Sequence, residues 1–187
     1  MRLVYGGRFT GDVSQLPHPA HRPGAVRFRE PATLREMAVL GAKVMRPLLA
    51  AGVLLWLLRV GWVWPSPWGV VWSLLSLLPH ELLHALCFRG EVFFYHALSM
   101  GVLFVTGPEE MSRGRFVLMS LLPTLVLGVL PLALFLLDPT RRALGTMAIL
   151  NLPSGAGDLI NIWNALTQVP RGGRVYQHGW HTYWFLP

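Results

Sequence analysis

The sequence predicts an all-α membrane protein of about four transmembrane helices, with a short β-hairpin between the second and third. Three observations predict it. Of the 187 residues, 53% are hydrophobic and only 13% charged, and the mean hydropathy is +0.46, outside the range of ordinary soluble domains. The apolar residues gather into runs near the roughly 20 residues that a helix needs to cross a bilayer core, rather than recurring at amphipathic spacing. The runs end at turn-forming residues: Pro65-Ser66-Pro67, Asp138-Pro139, and Pro170 with Gly172-Gly173.

From the N-terminus, Met1 to about Glu30 reads as irregular, with Gly6-Gly7, Pro17, Pro19, Pro23 and Gly24 as breakers. This stretch lacks an apolar core of the signal-peptide kind, so the first hydrophobic span is expected to serve as both signal and anchor. Pro31 and Thr33 followed by Leu34, Met37, Ala38, Leu40 and Val44 predict a short amphipathic helix lying at the membrane interface. Residues 1–45 thus form an N-terminal segment with an interfacial helix. A four-span membrane domain over residues 46–169 follows, with spans Pro47–Trp64, Trp68–Phe88, Phe116–Leu137 and Ala143 to about Val169. Residues 170–187 form a tail.

Trp62, Trp64 and Trp68 cluster at the first turn as an aromatic belt would. Lys and Arg number eight from the N-terminus through Arg46, three from Arg89 to Arg115 and two in the tail, against Arg141 and Arg142 on the other side. The asymmetry predicts that both termini are cytoplasmic. The net charge of +7 is explained by basic loops facing an anionic leaflet. No nucleic-acid motif or basic-aromatic interleaving accompanies it, so membrane lipid and not nucleic acid is the expected partner. Cys87 alone excludes an intrachain disulfide and reads as a small buried hydrophobe.

Between the second and third spans, Glu91 to His96 and Val102 to Thr106 are rich in aromatic and β-branched residues around a turn at Leu98-Ser99-Met100-Gly101. They predict the hairpin. It reads either as a membrane-skimming loop or as a sheet edge offering strand pairing to an extended substrate.

The chemistry lies in the second span, at His80-Glu81-Leu82-Leu83-His84. On a helix the two histidines are one turn apart, so both imidazoles reach one metal ion. Glu81 is displaced by roughly 100°, placed to act as catalytic base on a water whose pKa zinc lowers to about 7. Ionisable groups at bilayer depth are costly and mark function. Pro79 opens room for water by releasing a helical carbonyl.

A catalytic zinc takes three protein ligands and a water. The best third candidate is Asp158, in the polar, Pro- and Gly-broken stretch Asn151 to Asp158 of the fourth span. Measured from the non-cytoplasmic ends, His80 lies roughly 18 Å deep and Asp158 roughly 22 Å. Asp158 is alternatively an N-cap of the helix resuming after Gly157. Asn151 and Asn161 are placed to polarise a substrate carbonyl, to hold the zinc ligands, or simply to pack. His96 on the hairpin is a weaker candidate near the cytoplasmic end of the motif helix, and His178 and His181 in the tail are weaker still. Arg59 reads as snorkelling to an interface or pairing with a carboxylate, and Glu109 and Glu110 as loop charges.

From about residue 70 to the end, the chain resembles the putative zincin peptidase family of small bacterial membrane proteins. The resemblance rests on the His80–His84 motif, on Pro108-Glu109-Glu110-Met111-Ser112-Arg113-Gly114-Arg115-Phe116, on Asn151 to Asp158, and on Pro170 to Gly179. That family is in turn similar to site-two intramembrane metalloproteases, in which an aspartate from a later, broken span joins the His-Glu-x-x-His helix. The resemblance implies zinc held by His80, His84 and Asp158, Glu81 as catalytic base, a peptide or membrane-protein substrate, and the bacterial inner (plasma) membrane as location. Gly157-Asp158 stands where the protease pattern has a Leu-Asp-Gly triplet. A non-catalytic metal-binding scaffold or regulator is the competing reading.

Overall fold

The computed structural model describes residues 1–98 and 101–187. It overturns the all-α, four-span expectation. The chain is 54% helical with 18% strand in two sheets, and two helices qualify as candidate spans. Among the described residues these are Arg35–Val60 and Arg113–Leu137, long and apolar enough to cross a membrane. The elements begin with β1 (Arg2–Arg8), β2 (Val26–Arg27), α1 (Leu34–Val60), α2 (Pro67–Leu75) and α3 (Leu77–Ala85). There follow β3 (Glu91–Ala97), β4 (Val102–Thr106), β5 (Met111–Ser112) and α4 (Arg113–Thr124). A π-helical turn (Leu125–Val129), α5 (Leu130–Leu137), α6 (Arg142–Ser154), α7 (Ala156–Gln168), β6 (Arg174–His178) and β7 (His181–Phe185) complete the chain. It divides into two compact units, one of residues 31–80 and 121–160, the other of residues 1–30, 81–120 and 161–187.

The first unit is helical. The expected interfacial helix and first span are one helix, α1, started by a capping box in which Thr33 and Glu36 satisfy each other's backbone N–H groups. The other expected spans are interrupted, and proline explains where. Pro79 has no N–H for the Leu75 carbonyl, and the second span breaks into α2 and α3 at Ser76. Pro153 likewise precedes the break at Gly155 that divides the fourth span into α6 and α7. The third span stays continuous but carries the π turn between Pro123 and Pro131. Within this unit α6 packs against α1, α2 and α5. Glycine makes that closeness possible: a Cβ on Gly69 would lie 2.4 Å from the Ala143 carbonyl oxygen. Trp56 stacks on Phe135 at 5.3 Å between centroids.

The second unit holds both sheets. β3 is central in the first, parallel to β1 (Arg2↔Glu91 to Arg8↔His96) and antiparallel to β4 (Phe93↔Thr106 to Ala97↔Val102). The hairpin's turn residues Ser99 and Met100 lie outside the described residues. The second sheet runs in the order β2-β7-β6-β5. The N-terminal stretch read as irregular therefore contributes two strands, and the tail contributes the β6–β7 hairpin. Their signals are weak because each strand is short. β1 carries Gly6-Gly7, and its partner lies 89 residues on, beyond any local window. A core of Phe28, Phe88, Val92, Phe116, Met119 and Val175 fills this unit.

Candidate metal centre

Helix α3 places the motif as its spacing requires. Among the described residues, the ligand-capable atoms of His80, Glu81 and His84 all lie within 4.8 Å of one another. His84 is buried, and its Nδ1 lies 2.8 Å from the Met119 carbonyl oxygen. A carbonyl only accepts, so Nδ1 donates to it. Metal-binding imidazoles are oriented in this way. The Met119 contact was missed from sequence because a backbone carbonyl carries no residue-type signal.

Glu81 Oε2 accepts a hydrogen bond from the Val105 N–H at 2.9 Å. Val105 lies on β4, the edge of its sheet. Its N–H points away from β3, and by strand alternation the backbone groups of Leu103 face the same way. The general-base candidate and an outward-facing strand edge are therefore neighbours within one unit.

In the helical unit, His80 Nε2 lies 3.1 Å from Asp158 Oδ2, with side chains only 18% and 11% exposed. Asp158 sits inside the first turn of α7 rather than at its N-cap, where the helix dipole favours its charge. Two imidazoles and a carboxylate are a donor set that suits zinc. Within the helical unit, His80 and Asp158 share a hydrogen-bonding distance.

The remaining expected residues are placed differently. Asn151 is buried and fully engaged: Ser73 Oγ donates to its Oδ1, and its Nδ2 donates to Ser76 Oγ and to the Leu127 carbonyl, each at 3.0 Å. Pro131, four residues after Leu127, has no N–H to offer that carbonyl, so the asparagine supplies one. Asn161 is half-buried on α7, one turn beyond Asp158. His96 stacks on Tyr5 and shares a 3.0 Å hydrogen bond with its hydroxyl, on the β1–β3 sheet. Arg59 donates to the Leu136 carbonyl at 2.8 Å.

Glu109 is more than a loop charge. It accepts from the backbone N–H groups of Arg89 and Gly90 at 2.6 and 3.0 Å and pairs with Arg115, tying the segment after α3 to the start of α4. Burial acts to raise its pKa, but the Gly90 and Arg89 N–H groups and the Arg115 guanidinium outweigh it and hold the carboxyl below its usual 4.5.

A helix presenting His-Glu-x-x-His with its ligand atoms turned together is the defining element of the zincins. The chain belongs to the family described as putative zincin peptidases, whose sequence profile matches residues 73–173, more than half of the 187. Membership points to a metallopeptidase with zinc as cofactor. Comparison with curated proteins and with solved structures gives no match.

Proposed function

We propose that the chain is a membrane-embedded zinc peptidase in which His80, His84 and Asp158 hold the metal and Glu81 is the catalytic base. The observation that carries the reading is the 3.1 Å approach of His80 Nε2 and Asp158 Oδ2, which joins the motif helix to an acid 78 residues away in the chain. Those three residues would hold a zinc ion, which when bound would supply an acidified water and Lewis-acid polarisation of the scissile carbonyl. Glu81 would be the group that accepts a proton and returns it to the leaving amine. The Met119 carbonyl holds His84 in the tautomer that presents Nε2.

An extended peptide lies along the edge of β4, pairing with the outward backbone groups of Leu103 and the Val105 carbonyl, beside the Glu81 carboxylate. The long apolar helices Arg35–Val60 and Arg113–Leu137 anchor the protein in the bacterial inner membrane, with both termini cytoplasmic. Membrane-anchored polypeptides are the expected substrates.

Metal analysis and peptide turnover of purified wild-type, His80→Ala/His84→Ala and Glu81→Gln proteins test this. The double histidine variant should lose zinc, and Glu81→Gln should keep zinc but lose turnover. Wild-type protein purified without chelators yet devoid of zinc would remove the proposal. Unchanged behaviour of Glu81→Gln would instead favour a non-catalytic metal-binding scaffold.

A further inference from the structure

A second group of histidines, none belonging to the motif, gathers in the sheet-bearing unit. His18 follows Pro17 in the N-terminal segment and His178 ends β6. The two stretches are pinned together, since Gly179 N–H donates to the Pro17 carbonyl at 2.9 Å. His18 Nε2 lies 3.0 Å from the Val13 carbonyl oxygen, and His178 Nδ1 lies 2.9 Å from the Pro19 carbonyl oxygen. Both partners can only accept, so each ring must carry a proton on that outer nitrogen. A neutral imidazole has one N–H. With both rings neutral, the inner nitrogens, His18 Nδ1 and His178 Nε2, both present lone pairs, and they face each other at 3.3 Å.

Two lone pairs at that distance repel unless a cation lies between them. An ion about 2.0–2.1 Å from each nitrogen at a tetrahedral angle would hold them about 3.3 Å apart. The surroundings match those of a ligand pair. Each outer N–H is held by a backbone carbonyl, the arrangement that orients metal-binding imidazoles. The His21 ring stacks on His178 at 4.1 Å and 23°, itself held by the Tyr176 hydroxyl at 3.0 Å from its Nδ1. Gly179, at φ +58°, lets the His18 ring lie against the β6–β7 turn, because a Cβ there would come within 2.8 Å of His18 Cε1.

We propose that His18 and His178 form a second metal site, for a zinc-like divalent transition-metal ion, separate from the His80-Glu81-His84 centre. Imidazole donors select zinc, copper or nickel over magnesium or calcium. The exposure of His18 leaves the remaining coordination positions to water. Metal there crosslinks the N-terminal segment to the β6–β7 hairpin.

The test uses the full chain in detergent, stripped with chelator, re-equilibrated with zinc chloride at neutral pH and assayed for bound metal after gel filtration. The His80→Ala/His84→Ala background removes the motif's contribution. In it, roughly one zinc per chain should remain, and addition of either His178→Gln or His18→Gln should abolish it. Gly179→Ala should weaken retention by displacing His18. His18→Gln, in an exposed loop, keeps the test decisive if His178→Gln fails to fold. Absence of zinc from the background protein, or retention unchanged by His18→Gln, overturns the site and leaves a shared proton as the cation between the rings.

Discussion

Asn151→Ala separates a structural asparagine from a catalytic one. In the structure the amide makes three side-chain hydrogen bonds, to Ser73, Ser76 and the Leu127 carbonyl, joining α2, the π turn and α6. Interhelical hydrogen bonds in membrane proteins average about 0.6 kcal/mol each, and in water-soluble cores about 1 kcal/mol. Loss of three amounts to about 2–3 kcal/mol, and an under-satisfied Leu127 carbonyl adds about 1 kcal/mol at the lower end of the unpaired-group penalty. A total of about 3–4 kcal/mol corresponds to a fall in melting temperature of about 6–16 °C for a chain of this size. Thermal unfolding in detergent micelles, followed by circular dichroism with metal held saturating, reads the shift. Zinc content of the folded variant should be unchanged. Near wild-type stability combined with lost peptide turnover would refute the assignment and return Asn151 to the role of polarising a substrate carbonyl.

Other outcomes follow from the same geometry. Gly155→Ala puts a Cβ 2.6 Å from Thr124 Oγ1 at the α6–α7 break, and should cost about 1–3 kcal/mol and loosen zinc by shifting Asp158. Adding Thr124→Ala removes the obstructing oxygen and should restore both, as melting temperature and metal titration would show. Val105→Pro deletes the N–H that Glu81 accepts without touching the β3–β4 ladder, since proline is tolerated at an outward edge position. Metal retention with a lowered kcat is expected, and an unchanged kcat would exclude a role for that N–H in orienting Glu81. Glu109, held below 4.5, is stabilising above that pH, and its contribution is lost as pH falls through the depressed folded value. Glu109→Gln should cost about 1–3 kcal/mol at neutral pH and flatten this acid limb of a stability–pH profile. Glu30 behaves oppositely. Burial raises its pKa despite the Thr182 and His181 contacts, so its charged form costs stability as pH rises above 4.5, and Glu30→Gln should stabilise at neutral pH.

Sequence alone determined the motif helix and the convergence of its side chains. Helical spacing is a local property, so His80, Glu81 and His84 could only converge once α3 formed. The strongly apolar runs at 47–64 and 116–137 were also legible, since length and hydropathy need no partner, and they overlap the long helices Arg35–Val60 and Arg113–Leu137. Asp158 was reachable because a carboxylate in a broken apolar run is conspicuous. The prolines at 79, 131 and 153 were also visible, but whether a proline kinks a helix or ends it depends on which groups take over the freed carbonyls. Asn151 does so at Leu127, four residues before Pro131, which its residue type could not announce. Only the tertiary structure decided the β-sheets. β1 and β2 are short, glycine-interrupted or solvent-facing, and take their stability from β3 and β7, more than 80 residues away in the chain. The backbone partners of the site, the Met119 carbonyl on His84 and the Val105 N–H on Glu81, were hidden for a related reason. Every residue has a carbonyl and nearly every one an N–H, so folding rather than residue identity selects which of them meets a motif side chain.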